Sequence, residues 1–198
     1  MRTIVFYGDS NTYGYDPRGF MGGRYPEDGI WTAIVQEKLG DSWRVENQGL
    51  NGRTIPFGHV GFAYAEGILK KIKKNDIFAV MLGTNDILLS DRPDAGAAIV
   101  KMDLFLEWLL KWHPAANTLL IAPVPVGSED SSDPLYKRFR EECLSMNAGF
   151  ALLSRQHGVH FADAGKWGID LAYDQDHLSE TGHRQFAEHI LKVLEDIK

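Results

Sequence analysis

The sequence predicts an α/β protein in which a parallel sheet of five strands lies between two layers of helices. Three observations predict it. Short apolar, β-branched runs alternate along the 198 residues with segments whose apolar side chains recur at helical spacing, the pattern of right-handed strand–helix–strand crossovers. The run Ile77-Phe78-Ala79-Val80-Met81-Leu82 is apolar throughout, as a central parallel strand covered on both faces should be. The opening run Thr3-Ile4-Val5-Phe6-Tyr7 stops abruptly at Gly8-Asp9-Ser10, good turn chemistry at the edge of a sheet.

The first strand is read at residues 2–7. Residues 30–39 follow as a helix, with Ile30, Trp31, Ile34, Val35 and Leu39 at helical spacing and Gly40 ending it. A short second strand is expected at 43–48. The helix at 59–74 closes in Lys70-Lys71-Ile72-Lys73-Lys74, a solvated end whose charge suits a helix C-terminus. After the third strand at 77–82, residues 94–112 carry a stripe at Ile99, Met102, Phe105, Leu106 and Leu109; Trp108 and Trp112 on it are read as packing. Leu119-Leu120-Ile121-Ala122 is the fourth strand, stopped by Pro123 and Pro125. A helix near 134–156 and a short fifth strand at 159–161 come next. The last helix starts from Ser179, a suitable N-cap, and aligns Phe186, Ile190, Val193, Leu194 and Ile197. No repeat, linker or low-complexity tract interrupts the series, so residues 1–198 are read as one domain.

Composition narrows the function classes. A hydrophobic fraction of 44% and a charged fraction of 24% are those of an ordinary soluble globular protein. The net charge is −6 and the lysines and arginines are scattered, which argues against a nucleic-acid partner. Cys143 is the single cysteine; it excludes an internal disulfide and a cysteine-rich zinc site, and its place in a helix reads as inert. No apolar run approaches the roughly 20 residues of a membrane span. A signal peptide has no room before Ser10. A soluble cytoplasmic protein without a membrane partner is the expectation, with the oligomeric state, a homo-oligomer included, left open.

In such a fold, sites lie at the carboxyl ends of the strands, near the point where strand order reverses. Four segments leave carboxyl ends there: Gly8-Asp9-Ser10-Asn11, then Asn47-Gln48-Gly49-Leu50-Asn51-Gly52-Arg53-Thr54, then Gly83-Thr84-Asn85-Asp86, and finally Asp174-Gln175-Asp176-His177. A strand order of 2-1-3-4-5 places Gly52 and Asn85 on either side of Ser10.

Those four segments, in that order, resemble the SGNH (GDSL-type) hydrolase superfamily. Trp31-Thr32, Gly49-Leu50-Asn51-Gly52-Arg53-Thr54 and Met81-Leu82-Gly83-Thr84-Asn85-Asp86 look most like its small bacterial arylesterase and acyltransferase branch. The resemblance implies a flavodoxin-like three-layer α/β/α sandwich and a serine esterase that hydrolyses a small-molecule ester with neither metal nor cofactor. Asn11 stands where many relatives have leucine, a change expected to alter the floor of the pocket.

A serine hydroxyl needs a base to take its proton, and histidine is the usual one. That makes Ser10 the candidate nucleophile and His177 the candidate base. Asp174, three residues earlier, is the acid that orients the imidazole. The carbonyl oxygen turns negative on attack and needs preorganised donors; the resemblance assigns that oxyanion hole to the Ser10 N–H, the Gly52 N–H and the Asn85 amide. Glycine at position 52 is read as allowing close backbone approach.

Each part has a plainer reading alone. An isolated Asp-x-x-His is a surface turn, and Asn85 could cap a helix or brace a turn. Asp9 is read as structural, receiving N–H groups in the turn, and Asp176 as a solvated acid. His59, His113, His157, His160, His183 and His189 have no metal-ligand spacing and are read as surface or core residues. The segment 14–29, with Tyr13, Tyr15, Phe20 and Tyr25 in or beside it, and the loop 124–134 are expected to shape binding. Neither carries the long apolar run of a lipase lid. Short acyl groups, acetyl to butyryl, on an alcohol, aryl or sugar leaving group are therefore expected, with acyl transfer to alcohols as a further outcome. The alternatives are thioester or phospholipid hydrolysis by the same triad, and a non-catalytic domain binding a phosphate or nucleotide. The last is disfavoured because Asp9 would sit where the anion should.

Overall fold

The computed structural model describes residues 1–19, 23–127 and 131–197. In chain order the elements are β1 (Arg2–Gly8), α1 (Ser10–Tyr13), β2 (Tyr15–Asp16), β3 (Gly23–Arg24), α2 (Trp31–Leu39), β4 (Trp43–Gly49), α3 (Gly58–Leu69), β5 (Ile77–Met81), α4 (Thr84–Leu88), α5 (Ala95–Leu109), β6 (Thr118–Ala122), α6 (Pro134–His157), β7 (His160–Asp163) and α7 (Glu180–Glu195). β4-β1-β5-β6-β7 form one parallel sheet. That is the predicted order 2-1-3-4-5. β2 and β3 make a separate antiparallel ribbon.

Alternation along the strands builds the three layers. Val5, Tyr7, Phe78, Val80 and Leu120 face one side and pack on α3, α5 and α6 through Ile68, Phe105, Met146 and Phe150. Ile4, Phe6, Ile77, Ala79 and Leu119 face the other and pack on α2 and α7 through Trp31, Val35, Phe186 and Ile190. Since successive side chains of a strand point to opposite faces, a run that is apolar at every position requires cover on both.

Three helices end earlier than their sequence periodicity predicts, α7 among them at Glu195, short of Ile197. α3 stops at Leu69 because the Asp76 carboxylate takes the Lys73 N–H (2.7 Å) while also binding the Thr3 N–H (2.7 Å). The Lys70–Lys74 run therefore lies beyond the helix and not at its solvated last turn. α5 stops at Leu109, and Trp112 is 46% exposed and not packed on the stripe. Trp108 does pack, stacking on Phe62 at 4.9 Å and Phe105 at 5.8 Å. The short helices α1 and α4 were invisible to periodicity because neither spans two turns.

Strand register sets the working edge of the sheet. Gly8 pairs with Gly49 on one side and Met81 on the other, so the loops after β1, β4 and β5 leave side by side. Gly49 permits the tight packing of β4 on α1: a Cβ there would lie 2.1 Å from the Tyr13 backbone nitrogen. Among the described residues no helix is long and apolar enough to cross a membrane.

Candidate active site

Ser10 is the first residue of α1, so its N–H has no acceptor one turn earlier within the helix. Asp9 caps that helix. Its Oδ1 accepts the Asn11 N–H at 3.0 Å and its carbonyl accepts the Tyr13 N–H at 2.9 Å, the structural role read from the sequence. Complete burial pushes the Asp9 carboxyl up to about 7, against the opposing Asn11 N–H. A carboxyl held above its ordinary value keeps its proton in the fold at a pH where the unfolded chain has lost it. Stability therefore falls as pH rises from the ordinary carboxylate range toward 7, and is level above that. Asp9→Asn keeps an acceptor oxygen and removes the charge. Its melting temperature relative to wild type should be higher at about pH 8 than at about pH 5; a difference independent of pH in thermal unfolding would contradict this.

His177 meets both partners predicted for it. Its Nε2 lies 3.0 Å from Ser10 Oγ and its Nδ1 lies 2.7 Å from Asp174 Oδ2. The other Asp174 oxygen accepts the N–H of Asp176 (3.2 Å) and of His177 itself (3.1 Å), so one carboxylate shapes the loop and orients the ring. With Nδ1–H donating to Asp174, Nε2 presents its lone pair to the serine hydroxyl. Gln175 adopts a positive φ of 59° in this turn, and its carbonyl accepts the Gly127 N–H at 2.7 Å. The Tyr15 ring packs against the imidazole at 4.5 Å.

Two expectations are corrected here. Asp176 is not a solvated acid: its side chain is half-buried, with Oδ2 at 3.9 Å from His177 Nδ1. Burial pushes its carboxyl up, His177 opposes that, and Asp174 adds to it. Asn11 does not act on a pocket floor. Its Nδ2 donates to the Asp176 carbonyl (3.1 Å) and its Oδ1 accepts the Leu178 N–H (2.8 Å), clamping the backbone on both sides of His177. The Trp31 indole N–H holds the Asn11 carbonyl at 2.9 Å. Leucine could make neither side-chain bond. The residue after Ser10 thus ties the His177 loop to the Ser10 turn.

Gly52 and Asn85 stand on loops flanking Ser10, as the strand order requires. Gly52 has φ +72°, and a Cβ there would meet nothing within 4 Å. Glycine suits the left-handed backbone at this position, and no atom of the described residues crowds it. Asn85 Nδ2 donates to the Arg53 carbonyl at 3.0 Å, which fixes the amide and engages one of its two protons. Its side chain does not cap α4, where Gly83 holds the N-cap position. The neighbouring Asp86 accepts the Ile55 N–H at 2.8 Å and pairs with Lys101 at 2.8 Å. Two cavities of about 390 Å³ adjoin these loops, one reached by Gly52 and Arg53, the other by Asn85 and Arg92, with Thr54 and Lys101 in both walls.

The segment after Ser10 reaches the site through Tyr15, whereas Val124, Pro125 and Gly127 line a cavity of about 650 Å³ with Asp170 and Gln175, beside the Asp174 loop. Phe20 and the middle of the 124–134 loop lie outside the described residues. The remaining histidines are elsewhere: His113 and His183 are buried, His157 pairs with Asp103 at 2.6 Å, and His189 stacks on Trp167. Among the described residues no group of three His, Cys, Asp or Glu side chains could hold a metal ion. Burial pushes the Cys143 thiol up to about 11, so little reactive thiolate forms.

The chain matches the GDSL-like lipase/acylhydrolase family over residues 6–185. Among solved structures, an Agrobacterium tumefaciens C58 protein assigned as an arylesterase superposes with a TM-score of 0.83 at 27% identity, covering 100% of both chains. A carbohydrate acetylesterase family member from Sinorhizobium meliloti gives 0.82 at 25% identity, covering 100% of this chain and 99% of that one. The M. smegmatis aryl esterase gives 0.85 at 22% identity with both chains fully covered, a likeness of fold. No curated protein matches the chain by sequence. A family match that runs from β1 into α7, on a sheet with this strand order, leads to one conclusion: the chain belongs to the GDSL-like lipase/acylhydrolase family and is a carboxylic ester hydrolase.

Proposed function

We propose that this protein is a serine esterase for short-chain acyl esters, working through an acyl-enzyme on Ser10. The observation that carries the reading is the continuous chain from Ser10 Oγ to His177 Nε2 (3.0 Å) and from His177 Nδ1 to Asp174 Oδ2 (2.7 Å). In this reading Ser10 Oγ attacks the ester carbonyl carbon as His177 Nε2 takes its proton. Asp174 holds the imidazole and stabilises the imidazolium. The tetrahedral oxyanion lies against the Ser10 N–H, the Gly52 N–H and the Asn85 amide. Collapse breaks the ester bond, and the leaving alkoxide receives the proton from His177. Water repeats the sequence on the acyl-enzyme; an alcohol in its place gives acyl transfer.

Acetyl to butyryl is the expected acyl range, and the arylesterase and acetylesterase likenesses agree with it. A panel of p-nitrophenyl esters tests both activity and range. kcat/KM should be highest for acetate to butyrate and fall by about tenfold or more at octanoate, since the acyl pocket sets discrimination. EDTA should leave the rate unchanged, and a sulfonyl fluoride should abolish it with a single adduct on the Ser10 peptide. A maximum at long chains, or loss on chelation restored by zinc, would overturn the proposal.

A further inference from the structure

We infer that Arg53 is the positioning residue of the oxyanion hole, a single side chain and backbone that hold the Ser10 turn, the Gly52 turn and the Asn85 amide in register. The inference rests on the reading of those three groups given above. Arg53 is only 8% exposed, yet its guanidinium donates to main-chain carbonyls where a buried arginine usually finds a carboxylate. Nη1 donates to Gly8 O at 2.9 Å and also to Gln48 O, while the buried Nη2 has no hydrogen-bond partner among the described residues. The guanidinium lies over the Tyr7 ring at 4.2 Å and the Tyr64 ring at 5.0 Å, cation–π contacts that offset part of its desolvation.

Those partners are the anchors of the candidate hole. Gly8 ends β1, two residues before Ser10, and its carbonyl also accepts the Leu50 N–H at 3.1 Å. Gln48 lies in β4, ahead of the turn that carries Gly52. The Arg53 N–H closes that turn on Leu50 O at 3.1 Å, and the Arg53 carbonyl accepts from Asn85 Nδ2 at 3.0 Å. One residue thus touches all three donor-bearing loops. Oxyanion donors work only if they are in place before charge develops, and a shift of about 1 Å in such a constellation can cost on the order of 10²-fold. Arginine suits the task because Nη1 presents two N–H groups in a fixed plane, reaching both carbonyls while the flat guanidinium lies over the Tyr7 ring; a lysine ammonium keeps the charge but neither the plane nor the stacking.

Arg53→Lys and Arg53→Met separate charge from geometry. Each is first titrated with a fluorophosphonate, so that only protein labelled at Ser10 is counted as competent. kcat and KM are then measured on p-nitrophenyl acetate. Inhibition constants are measured for phenylboronic acid, which forms a tetrahedral anion on serine, and for p-nitrophenol, which does not. kcat should fall about tenfold in Arg53→Lys and about 10²-fold in Arg53→Met, with KM within about twofold. Phenylboronic acid should weaken by the same factors and p-nitrophenol should not. Should Arg53→Met not fold, Arg53→Lys decides alone. Unchanged kcat, undiminished boronate affinity beside a lower kcat, or parallel loss of p-nitrophenol binding would each overturn the inference. A wild-type enzyme that hydrolyses the ester with no label on Ser10 would instead overturn the serine reading beneath it.

Discussion

Ser10→Ala is expected to yield a folded protein whose ester hydrolysis is reduced by roughly 10³-fold or more. The substitution removes one oxygen whose described bond is to His177 Nε2. The cap that shapes its turn, Asp9 Oδ1 to the Asn11 N–H, is untouched, and so is the Asn11 clamp on residues 176 and 178. The melting temperature should therefore stay near that of wild type while turnover collapses. What remains should be the contribution of the oxyanion donors and binding alone, because the covalent route is closed. Initial rates on p-nitrophenyl acetate beside a thermal melt of the same preparation check this. Retention of more than about a tenth of wild-type turnover would exclude Ser10 as nucleophile.

Asp174→Asn should lower kcat by about 10³–10⁴-fold with little change in KM, whereas Asp176→Asn should cost less than about tenfold. Both carboxylates face the same imidazole nitrogen, but at 2.7 Å and 3.9 Å. An asparagine at 174 could still accept the N–H groups of residues 176 and 177 through its oxygen, so the loop keeps its turn. It would then offer an NH₂ group to Nδ1. The ring would answer by moving its proton to Nε2, and Ser10 would face a donor where it needs a base. In the proposed mechanism neither group binds the substrate, which is why KM should hold. Steady-state kinetics of the two variants decide between the acids, and a damaging Asp176→Asn beside a mild Asp174→Asn would reassign the role.

The five sheet strands and their helical cover were legible in the sequence because apolar periodicity is local: Ile77–Met81 declares a doubly covered strand, and Phe186, Ile190 and Leu194 declare one helix face. The site was legible for a related reason. Three of its four segments stand at the end of a strand, the fourth follows β7 after a longer loop, and a parallel sheet delivers all such ends to one edge. Where side chains from distant segments compete for backbone groups, locality fails. Asp76 ends α3 by taking the Lys73 N–H, and a pattern of apolar spacing contains no sign of that carboxylate's preference.

By itself, then, the sequence determined the alternation of strands and helices and hence the layers, because periodicity is local; the strand order and the grouping of Ser10, His177 and Asp174 were legible through the joint resemblance of four short motifs to a known family. Only the tertiary structure decided what holds them. Asn11 reaches the peptides on either side of His177 across 165 and 167 residues of chain. Arg53 joins Gly8, Gln48 and Asn85 across three loops, Asp176 turns inward, and Gly52 adopts a positive φ. Those outcomes depend on which buried backbone groups lack a partner once the sheet has formed, and that is a property of the folded chain and not of any stretch of it.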